Sequence, residues 1–188
     1  MSAREPTRTD EDLAAITVGE VRLHDAPVTL AEYDPAWPDR YDSLAREIGD
    51  ALGDGAVTIE HVGSTSVPGL VAKPIIDIVL VVADSSREAD YVPPLESVGY
   101  GLRIREPNWY EHRMLRGGDG DVNLHVFSPG CREVERMLRF RDRLRSDPAE
   151  RHRYAAVKRE LASRRWRHVQ HYADAKTAVV EEILARSG

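Results

Sequence analysis

The sequence predicts an α+β fold: a mixed sheet of about five strands flanked by helices, with a helical tail folded back on it. Three observations lead there. Short apolar or alternating runs are concentrated between Val57 and Phe127, and stripes of helical period precede and follow them. One of the runs, Ile75 to Val82, is apolar on both of its faces apart from Asp77, as a covered central strand must be. At 188 residues the chain can build one domain with a sizeable core. The expected organisation is a flexible leader (1–25), an α/β core (26–130) and a C-terminal helical segment of the same domain (131–188).

In chain order, the leader is charged and aperiodic, with at most a short strand near Ile16–Leu23. Ala26 to Glu32 suits an edge strand. Asp34-Pro35 has the form of an N-cap followed by proline, and Trp37, Tyr41, Leu44, Ile48 and Leu52 then recur at helical spacing until Gly53. Val57–Val62 and Ile75–Val82 are strands joined by a Gly/Ser turn. Ser86–Val98 is helical in pattern, although Pro93-Pro94 should break or kink it. Tyr100–Ile104, Glu111–Arg116 and Val122–Phe127 read as three more strands, the last two joined by the hairpin turn Gly117-Gly118-Asp119-Gly120. Along the last strand, Asn123, His125 and Phe127 share one face. From Cys131 onward three helices are expected. One carries Val134, Met137, Leu138 and Leu144, and the next starts at the capping-box sequence Asp147-Pro-Ala-Glu150. The third runs from Tyr172 to Ile183.

The net charge is −6, unevenly spread: between Cys131 and Arg167 there are 13 Lys and Arg against 6 Asp and Glu. A basic segment on an acidic body signals either a phosphate-binding surface or two parts that attract each other. The acidic whole and the lack of an aromatic platform beside the arginines argue against nucleic acid. A single cysteine, Cys131, rules out an internal disulfide, and no run is long and apolar enough to span a bilayer. Met1–Asp12 has no apolar signal-peptide core, so the cytoplasm is the expected location.

The stretch His61-Val-Gly-Ser-Thr-Ser-Val-Pro-Gly-Leu-Val-Ala-Lys-Pro-Ile-Ile-Asp77 poses the chemical question. Burying an unpaired carboxylate costs several kcal/mol, roughly the penalty for any uncompensated buried charge. Asp77 therefore needs a cation, a metal or hydrogen bonds. Gly63, Ser64, Thr65 and Ser66 can offer backbone N–H groups and hydroxyls to phosphate oxygens, and Lys73 adds a charge. The spacing fits neither a P-loop nor a dinucleotide fingerprint, and serines bonding their own turn are the alternative.

Gly63-Ser64 followed by an apolar-flanked Asp77 on a strand resembles the nucleotidyltransferase superfamily with a polymerase-β-like fold. Glu60-His-Val-Gly-Ser-Thr-Ser-Val-Pro-Gly-Leu-Val-Ala-Lys-Pro-Ile-Ile-Asp-Ile78 is similar to the signature of its GrpB family. Asn123-Leu-His-Val-Phe127, Phe140-Arg-Asp-Arg-Leu-Arg145, Tyr154-x-x-x-Lys158 and Tyr172-x-x-x-Lys176 extend the resemblance over about residues 28–186. It implies a nucleotide-type cleft beside the Gly/Ser turn and a relation to dephospho-CoA kinases. Nucleotidyltransferases of this fold carry Asp-x-Asp/Glu on the strand, to hold Mg²⁺ for attack on an α-phosphate. Here the second position is Val79, and the later strand offers Asn123 and His125.

The candidate catalytic pair is thus Asp77 and His125. Asp77, Asn123 and His125 are the candidate ligands of a divalent metal, Mg²⁺ or Mn²⁺. Arg141, Lys158 and Lys176 lie on or beside apolar helix stripes and are expected to wall a nucleotide site with Gly63, Ser64, Thr65, Ser66 and Lys73. His61 either orients the turn or touches the ligand. Two functions follow: nucleotidyl or phosphoryl transfer from a nucleoside triphosphate, or a non-catalytic module that binds a nucleotide or CoA-type molecule and assists a kinase partner.

Overall fold

A computed structural model describes residues 8–21 and 23–186. Helix α1 (Asp10–Ile16) precedes α2 (Trp37–Leu52) and strand β1 (Ala56–Val62). Strand β2 (Ile76–Val82), helix α3 (Val92–Ser97) and strands β3 (Gly101–Glu106), β4 (His112–Gly117) and β5 (Val122–Phe127) complete the core. The tail holds α4 (Arg132–Ser146), α5 (Pro148–Ala162), α6 (Val169–Ala175) and α7 (Thr177–Ala185). The sheet order is β1-β2-β5-β4-β3. Only the central pair β2/β5 is parallel, so the sheet is mixed, as the sequence implies.

The two faces of β2 go to two different helical layers, because successive side chains of a strand point to opposite sides. Ile76, Ile78, Leu80 and Val82 pack with Val122, Leu124 and Val126 of β5 under α2 and α3, against Trp37, Ile48 and Leu95. Val79 and Val81 pack with Val62, Phe127 and Val134 on the α4 side. Asp77 shares that second face, at the open end of the strand. A further cluster joins Val67, Leu70 and Val71, from the loop before β2, to Leu144, Tyr154, Val179 and Ile183 of the tail. This cluster folds the tail back onto the sheet.

Several local expectations are corrected. In the leader, the suggested Ile16–Leu23 strand is replaced by α1, closed by a capping box between Thr9 and Asp12, and by one bridge from Thr17 to Ile104. Residues 1–7 lie outside the described residues. The Ala26–Glu32 strand is reduced to two isolated bridges, Ala26 to Trp166 and Ala31 to Ala72. Helix α2 begins at Trp37, two residues beyond Pro35, with Pro38 in its first turn. Pro93 and Pro94 do not break a helix; they sit in the first turn of α3, where the missing N–H groups need no partner. The third tail helix is divided into α6 and α7 at Lys176.

Ile78 is fully buried between β1 and β5. Ile78→Ala should cost about 2–5 kcal/mol in urea unfolding, whereas Val57→Ala on the exposed edge should change stability by less than about 0.5 kcal/mol.

Candidate functional site

Strand pairing places Asp77 opposite Val62 of β1 and Asn123 of β5. The Asn123 amide donates from Nδ2 to Asp77 Oδ1 at 2.8 Å, and His125 Nε2 stands 3.9 Å from the same oxygen. The Asp77 side chain keeps 30% of its surface exposed, so a ligand can reach it. Burial works to raise its carboxyl pKa. The contacts with His125 and Asn123 and the charge of Lys176 outweigh it and hold the group below the ordinary range.

The turn after β1 is shaped around this carboxylate. Gly63 has φ +68°, and a Cβ there would lie 2.4 Å from Asp77 Oδ2, so both conformation and space demand glycine. Two of the three following hydroxyls serve the turn itself. Ser66 Oγ donates to the Gly63 carbonyl at 2.6 Å, and Thr65 Oγ1 donates to the Ile75 carbonyl at 3.2 Å. His61 supports Thr65: its Nε2 is 3.0 Å from Thr65 Oγ1, which accepts, and its ring stacks on Tyr41 at 4.6 Å. His61 is therefore built into the turn and buried. Ser64 is the hydroxyl that faces a cation.

That cation is Lys158 on α5, only 2% exposed, which donates to Ser64 Oγ at 2.6 Å and to the Val71 carbonyl. Burial drives its pKa well down, with the Lys176 charge adding to the effect and Asp77 opposing it. Lys176, at the break between α6 and α7, lies over the Tyr172 ring at 4.5 Å. Burial lowers it to about 8, against the pull of Asp77 and with the push of Lys73. Burial lowers Lys73 as well, again opposed by Asp77. Asp77 thus acts on all three ammonium groups, with Asp174 acting on Lys176 as well, and none makes an ion pair among the described residues. Arg141 does not join them. Its Nη1 donates to Glu60 Oε2 at 2.7 Å and to the His61 carbonyl at 3.0 Å, and its Nε donates to Asp142 at 2.7 Å, on the far side of the turn.

Sequence reasoning missed a string of side chains running from Asp77 across the sheet. His125 Nδ1 on β5 is 3.1 Å from His112 Nε2 at the start of β4, and His112 Nδ1 is 2.7 Å from Glu106 Oε2 at the end of β3. Arg8, in the leader, donates from Nη2 to Glu106 Oε1 at 2.5 Å. The two rings stack 5.3 Å apart, and Phe127 lies against His112 at 4.7 Å. Burial pushes His112 down to about 4 despite the neighbouring Glu106 carboxylate. Glu106 and His112 bracket the β3–β4 turn, and no local pattern marks them as neighbours of Asp77.

The donor set does not fit the expected Mg²⁺ or Mn²⁺ bound by Asp77, Asn123 and His125. Among the described residues no group of three His, Cys, Asp or Glu side chains is placed to hold a metal ion. Asn123 presents its N–H to Asp77, and the charges of Lys73, Lys158 and Lys176 all act with that one carboxylate. A dication is disfavoured by such a field, and hard divalent ions require several oxygen ligands. Val79, where a second carboxylate is expected, is fully buried against Val134 of α4.

A family model described as GrpB protein matches residues 27–186. A UPF0157 protein from Halalkalibacterium halodurans is 59% identical over 99% of this chain and 95% of its own length. Another from Streptomyces coelicolor is 46% identical over 86% of this chain and 84% of its own. The crystal structure of the conserved protein GrpB from Enterococcus faecalis superposes with a TM-score of 0.75 at 30% identity, over 85% of this chain and 96% of that one. A dephospho-CoA kinase from Mycolicibacterium paratuberculosis is 29% identical over 74% of this chain, which matches 40% of that longer protein.

Two predictions concern the turn. Gly63→Ala should lower stability by about 2 kcal/mol or more, since it adds left-handed strain to the clash with Asp77, as read by denaturant unfolding. Burial lowers His61 to about 4, with Asp77 opposing, so between pH 6.5 and 4 the unfolded chain binds a proton that the folded chain refuses. Stability should fall across that window as pH drops. His61→Gln should remove roughly 3 kcal/mol of the fall in melting curves taken at successive pH values.

Proposed function

The chain belongs to the GrpB family, and we propose that its Asp77 cleft binds the phosphates of a nucleotide or CoA-type molecule. One observation carries this reading: Lys158 holds the Ser64 hydroxyl of the turn at 2.6 Å, and Lys73, Lys158 and Lys176, all three pushed down by burial, feel the charge of Asp77. A phosphate supplies the missing negative charge, accepts from the ammonium groups and takes the Ser64 hydroxyl. The turn holds its shape through Thr65, Ser66 and His61, so the anion site exists before the ligand arrives.

Transfer of a nucleotidyl or phosphoryl group from a nucleoside triphosphate is the second reading, and the His125–His112–Glu106 string favours it. His125, backed by His112 and Glu106, stands beside Asp77 where it could exchange a proton with an attacking hydroxyl. Neither reading routes a step through Mg²⁺ or Mn²⁺, because among the described residues Asp77 is joined by no second carboxylate to hold it. The dephospho-CoA kinase name belongs to a longer relative, and a kinase partner for this chain is without support.

Thermal shift with ATP and with CoA, each with EDTA or with added Mg²⁺ or Mn²⁺, separates the readings. At about a hundredfold excess over Kd, a bound ligand should raise the melting temperature by roughly 5–10 °C in EDTA. Lys176→Met should abolish the rise. Stabilisation that needs the divalent ion would overturn the metal-free site. Hydrolysis or transfer products in the same samples would favour the second reading, and loss of product in His125→Asn would place the proton step there.

A further inference from the structure

A second cleft lies on the other side of the 63–66 turn, at the β1 edge of the sheet. It has a volume of about 680 Å³, and none of Ser64, Lys73, Asp77, Lys158 or Lys176 lines it. Its walls come from α2 and the segment before it, from the end of β1, and from the α4–α5 corner.

The charges on its walls differ in how they are satisfied. Arg141 is neutralised by Glu60 and Asp142, each 2.7 Å away. Arg145 is held through Nε by the Ser66 carbonyl at 2.9 Å. Its nearest carboxylate, Asp142, is 3.8 Å distant and already bound to Arg141. Arg151 donates from Nη1 to the carbonyls of Leu144 (3.0 Å) and Arg145 (3.3 Å), the open end of α4, and makes no ion pair among the described residues. Backbone carbonyls thus fix two guanidinium groups in place and leave their charge largely unspent. A pair of forked donors so held is suited to a phosphate or carboxylate.

The opposite wall is aromatic. Tyr33 and Tyr41 line the cleft, with Tyr41 backed by the stacked His61 ring and its hydroxyl donating to the Ile59 carbonyl at 3.1 Å. Asp42 stands on the same side, exposed. Flat walls with an acceptor at one end, and cations at the other, select a planar ring that bears N–H donors and carries an anion.

From this arrangement we infer that the β1-edge cleft is a separate binding site for a phosphorylated molecule with a planar, amino-bearing ring, the phosphate on Arg145 and Arg151 and the ring on Tyr33 and Tyr41. The inference is independent of the Asp77 cleft, which shares no charged residue with it.

Adenosine 5′-monophosphate is the probe. Phenylglyoxal modification of the full chain, followed by peptide mass mapping, reads Arg145 and Arg151 directly, with the exposed Arg139 as internal control. AMP should slow labelling of Arg145 and Arg151 about tenfold at roughly 90% occupancy while Arg139 reacts unchanged. Tyr33→Ala should raise the AMP concentration needed, and Lys176→Met should leave it unaltered. Unprotected arginines at millimolar AMP would overturn the site, as would equal protection by inorganic phosphate alone. Protection that vanishes in Lys176→Met would place AMP in the Asp77 cleft and overturn the second site, while leaving the first reading intact.

Discussion

The carboxylate of Asp77, set among aliphatic neighbours at the mouth of the central strand, is the constraint on which the structure depends. Each surrounding element meets some part of its cost. The parallel partner β5 brings Asn123 as a donor and His125 beside it. The preceding turn gives up a side chain at Gly63 to make room for Oδ2. Helices α5 to α7 bring Lys158 and Lys176 within range of the charge. Remove the carboxylate, and the tail's buried ammonium groups lose the one negative charge they share. The fold and the site are therefore one electrostatic arrangement.

Much of this was legible. The two-faced apolar run of β2, broken only at residue 77, disclosed both the central strand and the group that needed compensation. The alternation of β5 correctly put Asn123 and His125 on the Asp77 face, because strand periodicity is strict. The 27–186 stretch matched the expected family, and the mixed sheet with helices on both faces followed. What was not legible depended on distance across the sheet. Glu106 and His112 touch His125 only because β3, β4 and β5 lie side by side at that end. Arg141 sits on an inward stripe as inferred, but which carboxylate it faces is decided by how α4 crosses β1, and it meets Glu60. The helix break at Lys176 leaves no mark on the apolar period, although the four-residue spacing of Tyr172 and Lys176 already brings the ammonium to the ring.

The charge asymmetry of the chain now has a physical account. Cations of the basic tail meet carboxylates from elsewhere: Arg141 with Glu60, and Arg159 with Glu32. Others pair within the tail, as Arg136 and Arg153 do with Glu181 and Glu182. Most such pairs are exposed and individually weak. Their collective effect is to spend the tail's positive charge on this protein, leaving little for an extended polyanion. Among the described residues, the cations held in place without a close carboxylate include Lys73, Lys158 and Lys176 on one side of the turn and Arg151 on the other, where Arg145 stands 3.8 Å from Asp142.

The four residues from Gly63 to Ser66 separate those two groups and touch both. The Ser64 hydroxyl is held by Lys158, while the Ser66 carbonyl accepts from Arg145. A partition this thin serves as one scaffold for two walls: a change that displaces it, such as a side chain at Gly63, must disturb the Lys158 side and the Arg145 side together.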